Sequence, residues 1–427
     1  IKGILILFYV FWATASLAQE ADADRMHGRI DALSEFGAND DGGVDRYAFT
    51  DADVEARQWL IGEMEGLGLE VRVDTAGNII GRREGSDPEL PIIMFGSHID
   101  SVPGGGNYDG DVGVISALEA IEILNARGIT TRHPLEVINF TNEEGGLIGS
   151  LVLSGKMKPE TLSVISQAGM TMGDGIDKLG GDQTRINEAA YSPGDLKAFI
   201  EVHIEQGAFL DEEGTNIGVV EGIVGIRWWD VVIEGFANHA GTTPMNRRKD
   251  AMLAAAQLTL AVNWVATTMP GRQVATVGRI QAFPGAPNVI PGRVIMSLEI
   301  RDLEADKIDF VFEQIKREAE KIAKETGTPI EFLAIETASE PAPTDERIRD
   351  IINSAAQELG YSTKLMPSGA GHDTQDMTAI APSGMIFVPS KGGISHSPNE
   401  FTAPEDMARG ANVLVETILS IDRRNFD

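Results

Sequence analysis

The stretch Gly96-Ser97-His98-Ile99-Asp100-Ser101-Val102-Pro103, followed by Tyr108-Asp109-Gly110, decides how this chain is read. An apolar run, Pro91 to Gly96, leads into it. Beyond it, Val114, Ala117, Leu118, Ile121 and Leu124 fall on one face of a helix expected over Gly113 to Ala126. A second apolar run, Leu135 to Thr141, comes next. Strand, helix, strand with continuously apolar strands predicts a parallel or mixed sheet flanked by helices. Ligand sites in such sheets lie where the strands end. His98, Glu143 and His203 each follow a strand-like run, so they are expected to meet there.

Outward from this stretch, Arg57, Trp59, Leu60, Met64 and Leu67 have helical spacing, and Leu69 to Val73 and Asn78 to Arg82 read as short strands. The composition changes near Gly222. Strands are expected at Arg227–Glu234, Val274–Gln281, Val294–Arg301 and Ile330–Glu336, with helices at Asp250–Thr267 and Ala305–Glu325. That β-α-β-β-α-β order resembles a small ferredoxin-like domain set within the larger one. A helix near Arg347–Leu359, a strand at Met385–Val388 and a last helix over Pro404–Ile421 return to the first domain. The expected organisation is therefore an α/β, mixed-sheet domain over 25–221 and 337–427, with an inserted α+β domain over 222–336.

At 427 residues, two domains are the expectation. The 65 Asp and Glu against 35 Lys and Arg give a net charge of −30, which repels nucleic acid and anionic membranes. No cysteine is present, so any metal must be held by His, Asp and Glu. Lys2, the apolar Ile4 to Trp12 and the small residues up to Ala18 read as a signal peptide over 1–18, predicting a periplasmic or secreted protein. The alternatives are an uncleaved anchor, or a cytoplasmic protein to which this stretch does not belong. No other stretch is read as transmembrane.

Singly, the polar residues are ambiguous. His98 and Asp100, two apart at a strand end, can share a face, with Asp100 fixing the imidazole tautomer. They could equally be a structural histidine beside a capping aspartate. Asp109 suits a bridge between cations or an N-cap for the helix behind it. Adjacent Glu143 and Glu144 at a strand end need a cation or a proton if both are buried; in isolation they are a solvated acidic turn. His203 and His396 alone are ordinary structural histidines. Together these residues supply three histidines, two ligand-type carboxylates and a spare glutamate, which suits a two-metal hydrolase.

The motifs GSHIDSVPGGGNYDG, FTNEEG, HIEQG, GFANHAGTTPM, PGAPNVIPG, LEIRD, SGAGHD and ISHSPNE occur in that order. By them the chain resembles the hydantoinase/carbamoylase branch of the M20-type dinuclear metallohydrolases. That group contains N-carbamoyl-L-amino acid hydrolases, allantoate amidohydrolases and β-ureidopropionases. The resemblance implies one metal on His98, Asp109 and His203 and a second on Asp109, Glu144 and His396, with Asp109 bridging and Glu143 as general base and acid. It implies Zn²⁺ first, with Mn²⁺, Co²⁺ or Ni²⁺ as alternatives. His203, where peptidase cousins carry a carboxylate, favours carbamoyl substrates over dipeptides. Gln206, Asn288, Arg301 and Gly371 are implied to contact substrate, Arg301 through the substrate carboxylate. His239 is implied to stabilise the oxyanion, arriving from the inserted lid and dimerisation domain of a partner copy in a homodimer. Without the resemblance, Arg301 reads as a salt bridge to Asp302 or Glu299, and Asn288 and His239 as loop residues. Many relatives carry extra residues after Glu-Glu-Gly; here Gly145-Gly146-Leu147-Ile148 leads straight to Gly149-Ser150, which bears on side-chain specificity.

Overall fold

A computed structural model describes residues 20–424 and 426. The expected signal peptide lies outside the described residues. The chain folds into two compact units: one contains the described residues up to Gly218 with Asp350–Thr363 and the segment from Ile386; the other contains Val219–Arg349 and Lys364–Met385.

In the first unit the strands are β1 (Glu70–Val73), β2 (Ile79–Arg83), β3 (Ile92–His98), β4 (Leu135–Phe140) and β5 (Leu196–Ile204). They lie in the order β1-β2-β4-β3-β5. β1 with β2 and β2 with β4 are antiparallel, whereas β3 is parallel to both β4 and β5. Helices α1 (Ala23–Ser34), α2 (Asp51–Gly66) and α3 (Asp111–Ala126) complete this part. α2 packs on β1 and β2, and α3 packs on β3, β4 and β5. α3 is apolar nearly all round, as a helix enclosed by other elements must be, and it buries Val112, Val114, Ile115, Leu118, Ile121 and Leu124. Every residue of β4 is buried. Its Glu136 is tolerated because Arg72 and Arg82 lie 2.9 and 3.3 Å from the same carboxylate oxygen. The short helices α4 (Ile148–Leu153), α5 (Met172–Lys178) and α6 (Phe209–Glu213) stand on connections. The mixed sheet agrees with the expectation from the two apolar runs.

The second unit carries β6 (Ile217–Ile223), β7 (Gly225–Glu234), β8 (Asn238–His239), α7 (Ala251–Thr268), β9 (Val274–Thr276), β10 (Ile280–Phe283), β11 (Val289–Ile290), β12 (Arg293–Asp302), α8 (Ala305–Thr326) and β13 (Ile330–Ser339). Its main sheet is antiparallel in the order β10-β12-β7-β13, with β9 also on β12. α7 and α8 pack on each other and on this sheet. Val231, Ile233, Leu258, Val262, Met296, Leu298, Val311 and Ile315 form its core. The strand expected over Val274–Gln281 is two pieces, β9 and β10, sharing β12 as partner and broken around Gly278.

Two further expectations need correction. Residues 337–349 and 364–385 join the second unit, not the first, because β14 (Ala342–Pro343) and β15 (Thr363–Ser368) both pair with β6. α7 is long and apolar enough, by length and composition, to cross a membrane, which the sequence reading overlooked. Its inward face, with Ala254, Ala255, Leu258, Val262 and Val265, instead fills the core of this unit. The last elements are α9 (Glu346–Glu358), α10 (Thr374–Met377), β16 (Ser383–Val388) and α11 (Pro404–Arg423), which packs on α1, α3 and β5.

Candidate metal centre

Because β3, β4 and β5 run in one direction, the residues at their carboxyl ends emerge together. His98 is the last residue of β3, Glu143 and Glu144 follow β4, and His203 is next to last in β5. Asp109 lies in the loop from β3 to α3, and His396 in the loop after β16. Two groups of ligand atoms result, each within 4.8 Å: His98, Asp109 and His203, and Asp109, Glu144 and His396. Asp109 belongs to both. Its Oδ1 lies 3.1 Å from His203 Nε2 and its Oδ2 lies 3.0 Å from His396 Nε2, so one carboxylate faces both groups. His396 Nε2 is also 3.4 Å from Glu144 Oε1.

The residues fit a cation. His98 Nδ1 meets the Asp100 carbonyl at 2.9 Å and His203 Nδ1 meets the Ile204 carbonyl at 2.9 Å. A carbonyl only accepts, so each Nδ1 carries the hydrogen and each Nε2 lone pair is left toward the cluster. Glu144 Oε1 is buried and makes no hydrogen bond. Burial pushes the His98 imidazole down to about 4, so it stays neutral. Burial opposes charge on Asp109 too, but His203 and His396 outweigh it and hold that carboxyl well below the usual range. For His203 the cost of burial is overcome by Asp109, and its pKa rises to about 9. The bond to Asp109 likewise lifts His396 to about 9. Burial, then the charge of Asp109, pushes Glu144 up to about 8. These protons occupy the positions that a cation would claim, so metal uptake must release them.

Asp100 acts differently from its expected role. Its main-chain carbonyl, not its carboxylate, meets His98; the carboxylate lies 3.8 Å from Nδ1. The side chain instead accepts from the backbone N–H of Glu143 (3.1 Å) and Glu144 (3.2 Å), shaping the turn that carries both glutamates. Glu143 is itself buried, with Oε2 3.8 Å from His98 Nε2. Gln206 donates from Nε2 to Asp109 Oδ2 at 2.9 Å, and its buried Oε1 has no partner. Asn142, Leu147, Gln206 and His396 all have positive φ, between 52° and 58°. Non-glycine residues rarely adopt this conformation, and it gathers here in the loops around the ligands.

The other expected residues lie in the second unit. His239 is exposed on β8, and its Nδ1 accepts from the N–H groups of Gly241 (3.0 Å) and Thr242 (3.2 Å), which leaves the hydrogen on Nε2. The Asn288 carbonyl accepts from Ala240 N–H at 3.0 Å beside the β8/β11 pair, so these two residues are neighbours. Arg301 presents Nε and Nη2 to Glu299 at 2.8 and 3.1 Å and Nη1 to the Gly369 carbonyl at 2.6 Å. Gly371 stands in the turn after β15, where Ser368 Oγ donates to the Ala370 carbonyl at 2.9 Å. Arg46 and Glu400 are among the buried charged residues that the sequence reading did not single out. Arg46 pairs with Asp111 at 2.6 Å, and Glu400 reaches the Asp109 and His396 loops. Nothing in the sequence near Arg46 signals its role, whereas Glu400 closes the ISHSPNE motif and was legible there.

Comparison with known proteins places this geometry. The family model described as peptidase family M20/M25/M40 matches residues 94–420. An N-carbamoyl-L-amino acid amidohydrolase of Geobacillus stearothermophilus is 41% identical over 402 residues, covering 92% of this chain and 97% of that protein. A ureidoglycolate hydrolase of Arabidopsis thaliana is 38% identical over 415 residues, covering 94% and 87%. A solved hydantoinase/carbamoylase family amidase from Burkholderia multivorans superposes with a TM-score of 0.89 at 34% identity, covering 95% of this chain and 99% of the other. With likeness along nearly its whole length and the ligand-type residues gathered at the ends of its parallel strands, the chain belongs to the hydantoinase/carbamoylase family of amidases within peptidase family M20/M25/M40.

Proposed function

We propose that the protein is a metal-dependent amidohydrolase that cleaves the carbamoyl C–N bond of N-carbamoyl-L-amino acids, using one water and giving amino acid, ammonia and carbon dioxide. The observation that carries the reading is Asp109, with one oxygen toward each ligand group and Glu143 alongside. His98, Asp109 and His203 would hold one divalent cation, and Asp109, Glu144 and His396 a second. The donor set of imidazole and carboxylate suits Zn²⁺, with Mn²⁺, Co²⁺ and Ni²⁺ as alternatives. Cations in such a site lower the pKa of a water to near neutrality and polarise the carbonyl under attack.

Glu143 takes the proton of the attacking water and returns it to the leaving amine. The Glu143 backbone is fixed by Asp100, so its carboxylate is presented from a set turn. His239, with its hydrogen on Nε2, is proposed to donate to the tetrahedral oxyanion. Arg301 and Asn288 are proposed to bind the substrate carboxylate, Gln206 and Gly371 to contact the substrate, and copies of the chain to pair as a homodimer through the second unit. On that unit, Leu253, Leu260 and Trp264 are exposed on one side of α7.

Ammonia release from a panel of N-carbamoyl-L-α-amino acids, N-carbamoyl-β-alanine, allantoate and ureidoglycolate tests the substrate. The expected result is fastest turnover of the first group, abolished by a chelator and restored by added Zn²⁺ or Mn²⁺. The Arabidopsis relative makes ureidoglycolate the second reading, and its preferential hydrolysis would replace the first. Export is a separate proposal resting on residues 1–18 alone; mature soluble protein that keeps Ile4 to Trp12 would overturn it.

A further inference from the structure

The site draws on elements of unequal rigidity. His98 and His203 belong to strands inside a parallel ladder, and each is pinned through Nδ1 to a backbone carbonyl. His396 has no such support: it sits in a loop, its side chain is 48% exposed, and its φ is 52°. Asp109 is also on a loop, yet it must present its two oxygens to different groups.

One buried side chain joins these loops. Glu400 Oε1 accepts from the backbone N–H of Tyr108 at 2.8 Å and of Asp109 at 2.9 Å. Its Oε2 accepts from Ser395 Oγ at 2.9 Å and from the His396 N–H at 3.2 Å. Ser395 Oγ in turn lies 3.2 Å from Asp109 Oδ2. The carboxylate fills space that Gly106 leaves open, since a Cβ there would be 2.3 Å from Oε1. All four donors point at one ionisable group that only accepts, and a carboxylate has about four acceptor positions. An amide replaces it only in part: its NH₂ would face either the two N–H donors of Tyr108 and Asp109 or the His396 N–H, leaving at least one of them unpaired.

We propose that Glu400 is a positioning residue for the metal centre. It locks the Asp109 loop to the His396 loop so that one oxygen of Asp109 meets each ligand group. Its loss weakens cation binding at Asp109, Glu144 and His396 before that at His98, Asp109 and His203. This rests on the two-cation reading above.

The test measures Zn²⁺ binding to metal-free full-length protein, by elemental analysis after dialysis and by competition with a chromophoric chelator. Wild type is expected to take up two equivalents. Glu400→Gln is expected to keep the first within a few fold and to bind the second about 10- to 100-fold more weakly, the usual effect of losing a group that orients a ligand. Asp422→Asn is the structural control: Asp422 is buried in the same unit and accepts from the N–H groups of Arg132 (2.8 Å) and His133 (2.9 Å), away from the ligands. It should lower the unfolding temperature and leave both equivalents unchanged. Wild-type affinity for both equivalents in folded Glu400→Gln overturns the proposal, as does equal weakening in Asp422→Asn. If Glu400→Gln does not fold, Ser395→Ala removes one donor without leaving a buried N–H unpaired, and it must weaken the second equivalent if the proposal holds. Uptake of a single equivalent by wild type sinks the two-cation reading instead, and Glu400 is then judged on that equivalent.

Discussion

The proposed roles of the neighbours Glu143 and Glu144 differ, one moving a proton and one holding a cation, and the first predicts a kinetic readout. Glu143→Gln should lower kcat by about 10²- to 10⁴-fold, the range for a positioned acid–base group, with metal content unchanged. Steady-state ammonia release alongside elemental analysis checks this, and full turnover would refute the role. Gly110 has φ 68°, and a Cβ there would come within 2.4 Å of the His98 ring. Gly110→Ala should therefore displace the imidazole, lowering stability by about 1–3 kcal/mol and reducing metal content. Protonation gives a further prediction. His203 and His396 are raised from 6.5 to about 9 beside Asp109, so the metal-free fold binds more protons than the unfolded chain between those values. Their stabilisation is complete below about 6.5 and is lost as pH rises through 9. Metal affinity should climb over the same window, as the competing protons leave. Thermal unfolding of metal-free and metal-loaded protein across pH 6 to 10 should show a falling curve for the former only. The residues of this site were legible as types, from motif and order. Their couplings were not, because Asp100 and Glu400 act by accepting backbone N–H groups, and a sequence does not show which N–H groups come within reach.

At the scale of elements, the site depends on how loops are anchored to the ends of strands. Arg46 does much of this for the first unit, because its guanidinium donates to the carbonyls of Leu33, Phe36 and Ile99 and to the Asp111 carboxylate. It thus ties the end of α1, the chain just after β3 and the first turn of α3 into one buried knot. Both side chains of the ion pair are 1% exposed. Removing one partner leaves an uncompensated charge, so Arg46→Ala should cost about 3–5 kcal/mol in urea unfolding. A loss under 1 kcal/mol would show that the knot is dispensable. The apolar runs announced β3 and β4, since strands buried on both faces carry little polar punctuation. Edge elements were harder: β9 and β10 share one partner and read as a single strand, and the two-residue β8 and β11 are too short for any periodicity to register.

Across the whole molecule, a net charge of −30 means that compaction works against self-repulsion. Salt screens this within about 10 Å at 0.1 M. The unfolding temperature should therefore rise as NaCl increases from about 10 mM to a few hundred millimolar, and a flat response would show that the charges are already offset locally. The proposed homodimer predicts that Leu260→Glu with Trp264→Glu yields monomers in analytical ultracentrifugation while the metal content stays unchanged. Division into two units was visible in the change of composition near Gly222. The return point was not, since β14 and β15 join the second unit by pairing with β6, a partner more than a hundred residues earlier.

The Asp109–Glu144–His396 group has a consequence in time. Its last histidine arrives 193 residues after His203, behind the whole of the second unit. At ribosomal speeds of about 5–20 residues per second, that is an interval of roughly 10–40 s. Throughout it, the nascent chain already carries His98, Asp109 and His203 but lacks the partner that would complete the pair of groups. On the two-cation proposal, a chain interrupted before His396 would hold one cation at most and would lack the proposed hydrolase activity.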